Sequence, residues 1–360
     1  MKLRCTPVME RSKWDASLAD LPQPHVLQTW DWGEFKSHWG WQPTRLLFEE
    51  ANHPLAAAQI LKRALPGAPF SICYAPKGPA LNFADTALLV EVLSALEQHA
   101  RRQHCLFIKI DPDVWLGQGP GESPPSPNAA AVLERLSQRG WLRSKEQIQF
   151  KNTIILDLFR DEQDLMARMK AKTRYNIRLT ARRGVSIRLG SERDLGTFYG
   201  LYHQTSQRDG FLIRPPAYYM ELWAQFLQAG RAHILIAEVN SGEAIAGLIL
   251  FHFGRKAWYM YGASSSSYRD LMPNHRLQWE AIRLAKELGC TQYDMWGAPD
   301  RFDESDPMWG VYHFKVGFGG ETMRGAGAFD YAPLPWRYWL YRVVMPRMLD
   351  LMRRRHDFQP

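Results

Sequence analysis

Cysteine is scarce in this 360-residue chain: there are four, Cys5, Cys73, Cys105 and Cys290, with no CxxC pair and no histidine nearby at metal-ligand spacing. Neither a zinc site nor a disulfide framework is expected, and the thiols are read as reduced. Long apolar runs are missing too. No stretch approaches the roughly 18 apolar residues that a membrane-spanning helix needs. Residues Met1 to Lys13 carry charges and Pro7 but no apolar core, so no signal peptide is read and a cytoplasmic protein is expected.

What remains is globular and basic. Apolar residues make up 46% and charged residues 23%, proportions that exclude a disordered chain, and the length suits two domains. Lys and Arg (45) outnumber Asp and Glu (37), a net charge of +8. That balance favours a polyanionic partner: nucleic acid, a nucleotide-linked substrate or an anionic membrane surface. Aromatics reach 12%, with 14 tryptophans; most belong in cores, and some are suited to lining a groove for a large polar ligand.

An internal repeat organises the chain. Leu46–Glu50, Ala56–Leu61 and a run ending at Ile72–Pro76 read as strands, followed by a helix over Thr86–Gln103 and a strand over Leu106–Ile110. The order recurs as Ile234–Glu238, Ala246–Phe253, Ala257–Tyr261, a helix over Asn274–Leu288 and Gln292–Trp296, and the Leu46-to-Tyr74 offset equals that from His233 to Tyr261. Three strands, a helix and a strand make a mixed α/β (α+β) unit, here present twice. Gly117 to Asn128 reads as an exposed loop, and Ala129–Arg139 as a short helix. Phe150–Leu158 reads as the strand leading from one half into the other. The expected division is 1–150, 151–335 and a C-terminal basic amphipathic helix over 336–360.

Between the repeats, Asp161–Arg183 is expected to be one helix stopped by Gly184. On it Lys170, Arg174, Arg178 and Arg182 recur every four residues and so share a face. Stacked like charges repel unless neutralised, so this is either a phosphate-binding face or a solvated, acid-paired one.

Lys170 to Val185, with its Lys-x-x-x-Arg-Tyr-Asn-Ile-Arg run and later Arg-Gly-Val step, resembles the signature of the FemABX family of peptidoglycan bridge-forming aminoacyltransferases. Gln28–Lys36, Tyr74–Pro79, Asp209–Arg214, Tyr259–Ser264 and Tyr312–Gly320 resemble further family segments in the same order. The resemblance spans about residues 25 to 330. It implies two GNAT-like (acyl-CoA N-acyltransferase-like) domains, in agreement with the repeat. Only about 25 residues separate Gly184 from Asp209, with no heptads, so the chain is similar to the armless, FemX-like form and is expected to be a monomer.

The family passes an aminoacyl group from aminoacyl-tRNA to an amine on the peptide stem of a cell-wall precursor, UDP-MurNAc-pentapeptide or lipid II. The ester is already activated, so neither ATP, metal nor another cofactor is implied. Lys315, after Phe314 and before Gly317, Gly319 and Gly320, matches the family's catalytic lysine, a stabiliser of the oxyanion. Lys36 and Arg214 match the grip on the precursor's diphosphate, joined by Tyr218 and by Tyr261 or Tyr259. Tyr74, the first-repeat equivalent, and Lys77 are further candidates. Lys170, Arg174 and Arg178 are candidates for tRNA phosphates. Asp111, just past a strand end, is either a general base or an ordinary cap.

The tail places Trp336, Leu340, Val343, Val344, Met348 and Leu351 on one helical side, with Arg353–Arg355 near the end. It suits packing on a domain, contact with an anionic membrane, or contact with tRNA. Three rival functions remain open. An acyl-CoA-dependent enzyme would need an Arg/Gln-x-x-Gly-x-Gly/Ala loop, which neither Ala75–Asn82 nor Gly262–Asn274 supplies. A tRNA-dependent transferase acting on another amine, or a non-catalytic tRNA-binding module, would share the basic surface.

Overall fold

A computed structural model describes residues 3–65, 67–121 and 123–343. The first half comprises β1 (Arg4–Pro7), α1 (Arg11–Asp20), α2 (Trp30–His38), β2 (Gln42–Glu50), β3 (His53–Ala64), β4 (Ser71–Ala75), β5 (Ala80–Leu81), α3 (Thr86–Arg102), β6 (Cys105–Ile110), β7 (Trp115–Gln118), α4 (Pro127–Gln138) and β8 (Leu142–Arg143). The second comprises β9 (Thr153–Asp157), α5 (Glu162–Arg168), α6 (Ala171–Arg182), β10 (Ser186–Leu189), α7 (Leu195–Asp209), α8 (Pro216–Gln228), β11 (Ala232–Glu238), β12 (Ala244–Phe253), β13 (Lys256–Ser264), α9 (Pro273–Glu287), β14 (Gln292–Asp294), α10 (Trp309–Val316), β15 (Glu321–Gly325) and β16 (Phe329–Tyr331).

The repeat is visible in both sheets. In sheet 1, β2, β3 and β4 run antiparallel and β6 joins β4 in parallel; in sheet 2, β11, β12, β13 and β14 do the same. A helix supplies each parallel crossover, α3 in sheet 1 and α9 in sheet 2. For α3, Asp85 caps the Leu88 N–H, and Leu88, Leu89, Val92, Leu93 and Leu96 recur at helical spacing and are buried. For α9, Leu277, Ala281, Ile282 and Ala285 do the burying, and Gly289, at φ +77°, follows the helix end in the left-handed conformation.

The halves are not cut cleanly at residue 150. β16, late in the chain, pairs with β6 and β8 in sheet 1, while β7, from the first half, pairs with β15 in sheet 2. One apolar core also spans both: Trp14 and Phe35 of α1 and α2 lie in the same cluster as Phe198, Trp223 and Phe226 of α7 and α8. Arg231 reinforces the junction, contacting Asp15 at 2.7 Å and Asp31 at 2.9 Å.

Three expectations change. The helix expected over 161–183 is two helices, because Met169 and Lys170 adopt extended backbone. The Arg174 guanidinium donates to the Ala167 and Met169 carbonyls that α5 leaves unpaired, and the Lys170 N–H turns to the Gly317 carbonyl at 2.9 Å. Lys170 therefore precedes α6 instead of lying on its charged row. Second, Cys73 and Cys105, on the adjacent parallel strands β4 and β6, bring their sulfurs together, a proximity that their spacing in the sequence does not suggest. Third, the tail packs by Tyr338, whose ring lies 5.4 Å from Phe107, while Trp336 and Leu340 are exposed. Val344, Met348, Leu351 and Arg353–Arg355 lie outside the described residues. Among the described residues, no helix is long and apolar enough to cross a membrane.

Candidate functional site

Strand β13 is nine residues long but pairs with β14 only through Lys256, Ala257 and Trp258. Beyond that point the two strands part. After β14 the backbone turns sharply, with Trp296 at φ +52° and Gly297 at φ +88°. A left-handed tryptophan costs about 1–2 kcal/mol. The turn is held by the Trp296 N–H, which donates to Asp294 Oδ1 at 2.9 Å. A side chain at 297 would strike Phe150, 2.8 Å from where its Cβ would stand.

This turn receives Lys315. Tyr312 and Lys315 form the buried side of α10, and the Lys315 ammonium donates to the Trp296 carbonyl and, at 2.8 Å, to the Gly297 carbonyl. The Tyr259 ring lies 5.8 Å from Nζ. Burial lowers the lysine to about 7 against a partial opposing pull from Asp294, so the group exchanges its proton near neutrality. Phe314, one residue earlier, packs edge-on to His275 and Phe318 at 5.1 and 5.3 Å.

A second cationic site joins the two halves. Lys36 of α2, 9% exposed, lies 3.3 Å from the Tyr218 hydroxyl of α8, and the Arg214 guanidinium stands 4.7 Å from the Tyr218 ring centroid. Trp32, Phe35 and Trp41 surround the ammonium at 5.7–5.9 Å. Burial, then Arg214, then Arg63 push Lys36 down to about 8. Among the described residues no carboxylate lies within 4.0 Å of Lys36, Arg63 or Arg214. Arg63, on β3, escaped the reading of the sequence; its position beside Lys36 depends on the strand–helix packing. Tyr261 is half-buried against Tyr202 and Tyr219, with Tyr218 nearby, and desolvation followed by these hydroxyls raises it well above the ordinary tyrosine range. It is a neutral donor.

Tyr74, Lys77 and Asp111 come together elsewhere. Tyr74 donates to Asp111 Oδ2 at 2.6 Å and the Lys77 N–H to Oδ1 at 2.5 Å, so both carboxylate oxygens anchor the loop after β4. Burial raises Asp111, opposed by Lys77 and Tyr74. Of the two roles considered from the sequence, general base or cap, these contacts are those of a cap. Tyr74 thus serves Asp111 and does not join Lys36. The Lys77 ammonium reaches Asp113 and the Phe150 carbonyl, both at 2.9 Å.

On α6, Lys172, Arg178 and Arg182 are exposed, and the Arg182 guanidinium stands 5.9 Å from the centroid of Tyr175, which is itself 55% exposed. The start of this helix abuts the loop after Lys315: a side chain at Gly317 would collide with Thr173. Separately, a cavity of about 730 Å³ opens around the beginnings of β13 and β14, at Arg255, Lys256, Thr291 and Gln292. It lies at the opposite end of β14 from the Lys315 turn, and its lining includes Asp113.

Residues 9–244 and 241–345 match the model of the FemAB family. The chain is 25% identical to the lipid II:glycine glycyltransferases of Staphylococcus haemolyticus and Staphylococcus saprophyticus, over 93% of its own length and 94% of theirs. A crystal structure of FemX superposes with a TM-score of 0.83 at 23% identity, covering 96% of this chain and all of the other. A tandem GNAT protein from the clavulanic acid biosynthesis pathway superposes at 0.54 with 13% identity, over 93% and 99% of the two chains. These superpositions agree with two GNAT-like domains.

Proposed function

The chain belongs to the FemAB family, and from that premise we propose that it is a peptidoglycan bridge-forming aminoacyltransferase taking its donor from charged tRNA. The acceptor is the side-chain amine in the peptide stem of a precursor carrying a diphosphate. The relatives' names favour the lipid-linked form, lipid II, over UDP-MurNAc-pentapeptide. The observation that carries this reading is the pairing of two cationic sites: an acid-free cluster at Lys36, Arg63 and Arg214, and a single buried lysine with a near-neutral proton affinity.

The first site suits a diphosphate. Arg offers a planar fork, Lys a point charge, and Tyr218 and Tyr261 neutral hydroxyl donors. The second suits an ester carbonyl. An ammonium has three N–H donors, and two of Lys315's are taken by the Trp296 and Gly297 carbonyls. The third serves the oxyanion that develops when the stem amine attacks. The N–C bond forms, the ester C–O bond breaks, and the amine's proton leaves with the ribose oxygen. Phe314 flanks the site, and Lys170 and Arg178 provide charge for the tRNA backbone.

An acyl-CoA donor is the second reading, and α6 argues against it. CoA-dependent relatives cradle pyrophosphate at a helix start. Here the corresponding start, that of α9, is crossed by α6. Thr180 donates to the Leu271 and Met272 carbonyls at 2.9 and 3.0 Å, and Asn176 Nδ2 meets His275 Nε2 at 3.2 Å.

The test is transfer of labelled amino acids from a mixture of charged tRNAs to UDP-MurNAc-pentapeptide and to lipid II. Transfer to either acceptor supports the reading. No transfer to either by folded protein overturns it, and saturable CoA binding would move the choice to the second.

A further inference from the structure

Behind Lys315 runs a row of buried charges for which the transfer scheme above has no use. Lys77 Nζ lies 2.9 Å from one oxygen of Asp113, Lys256 Nζ lies 3.5 Å from the other, and the same Lys256 Nζ lies 2.9 Å from Asp294 Oδ2. Lys77 and Asp113 come from the first half, Lys256 and Asp294 from the second. None of the four side chains is more than 12% exposed. Desolvating such a row is costly, and apolar side chains of similar volume would stabilise the fold at least as well.

The row ends at the turn that holds Lys315. Asp294 Oδ1 accepts from the Trp296 N–H at 2.9 Å and from the Thr153 hydroxyl, while Trp296 and Gly297 present their carbonyls to the Lys315 ammonium. Of the groups packed around that ammonium, β13 contributes the neutral Tyr259 ring, and Asp294 is the charged group acting on it. Asp113 in turn is faced by Lys77, Lys256 and the uncharged His25.

We infer that Asp294 is a positioning residue for Lys315: it pins the left-handed Trp296–Gly297 turn whose carbonyls grip the ammonium and supplies the negative charge beside it, while Lys256, Asp113 and Lys77 hold Asp294 in place from across the domain junction. The inference rests on reading Lys315 as the oxyanion donor. It gives the first half, which contributes Lys36 to the diphosphate cluster, a covalent-free link to the charge at the reacting end.

The test reads the proton affinity of Lys315 directly, with no substrate present. In the full chain labelled with 13C at lysine Cε, the Lys315 signal is identified by its loss in Lys315→Met and titrated by NMR. Asp294→Asn keeps the shape and removes the charge, so the midpoint is expected to fall by about one pH unit or more. Lys256→Met leaves Asp294 less neutralised, so the midpoint is expected to rise. A midpoint unchanged in both variants overturns the inference, and the second variant decides alone if Asp294→Asn does not fold. In transfer assays, Asp294→Asn is expected to move the alkaline limb of kcat to lower pH, with KM for the precursor within about twofold. A uniform loss of kcat at every pH would instead mark a purely structural role and overturn it. Absence of tRNA-dependent transfer by the parent would sink the functional reading, and the titration would still judge this one.

Discussion

Tyr259 and Tyr261 stand two residues apart on β13 yet serve different cores, because the ladder to β12 shifts register between them. Ile249 pairs with Tyr261 and Leu250 with Tyr259, leaving Met260 bulged. Residues i and i+2 of a regular strand share a face; a bulge breaks that rule. Tyr261 thereby packs with Tyr219 and Trp223, next to the Lys36 cluster, and Tyr259 packs on the other core, 5.8 Å from the Lys315 ammonium. The β3–β4 pair of the first half has no such shift, and Tyr74 there binds Asp111. Two similar sheets thus yield one strand that feeds both cationic sites.

Gly262 is expected to be indispensable to this arrangement. A Cβ at that position would overlap the Tyr259 hydroxyl, so Gly262→Ala must displace the ring or the strand. The expected cost is about 1–3 kcal/mol of stability. Transfer should fall by more than precursor affinity does, since the ring lies at Lys315 and not at Lys36. Melting curves together with separate kcat and KM values would check this, and an Ala variant with parental kcat would refute it.

Lys315→Met is expected to lower kcat by about 10²–10³ while leaving precursor affinity within about twofold. It should also stabilise the protein. The folded lysine gives up its proton near 7, the unfolded one near 10.5, so between those values the unfolded state binds more protons and stability of the parent rises with pH. Below about 7 the parent carries the full cost of a buried ammonium. The Met variant avoids it, and its melting temperature should exceed the parent's most clearly at acidic pH. A variant that melts lower than the parent at pH 6 would contradict the buried-charge account.

The repeat, the order of strands and the helix bounds of α3 and α9 were legible because each rests on local periodicity. The residues of the cationic sites were legible only through resemblance. Nothing local marks Lys315, which the sequence shows as a lysine before glycines; its partners are two carbonyls 18 and 19 residues away. Arg63 was invisible because it meets Lys36 through packing of β3 against α2. The helix break at Met169–Lys170 was hidden as well: its cause is a tertiary hydrogen bond to Gly317 and the Arg174 side chain folding back on α5. The exchange of β7 and β16 between sheets, likewise, has no signature shorter than the whole chain.

Removing cations from the first cluster should act on binding. Lys36→Ala, Arg214→Ala and Arg63→Ala are each expected to weaken affinity for a diphosphate-bearing precursor, by about 1.5–3 kcal/mol where a charged hydrogen bond is lost. Arg63, exposed and reaching Lys36 only through its field, should give the smallest loss. Because Lys36 is held near 8, affinity should decline as pH rises through that value, and the decline should vanish in Lys36→Arg. Calorimetry with the nucleotide-linked precursor at several pH values would decide.

The α6 surface should separate arginines of similar appearance by what they touch. Arg178 and Arg182 are exposed and have no carboxylate partner among the described residues, and Arg182 lies over the exposed ring of Tyr175. Arg174, one turn earlier, is committed to the Ala167 and Met169 carbonyls. If α6 receives the tRNA backbone, Arg178→Ala and Arg182→Ala should each weaken tRNA binding and reduce the slope of log affinity against log salt by about one, with melting unchanged. Tyr175→Ala should cost about 1–3 kcal/mol of binding if an unpaired base stacks there, without altering the slope. Arg174→Ala should do the reverse, lowering stability by freeing the end of α5 and shifting the salt slope less. Equal salt slopes for all four variants and the parent would remove α6 from the RNA interface.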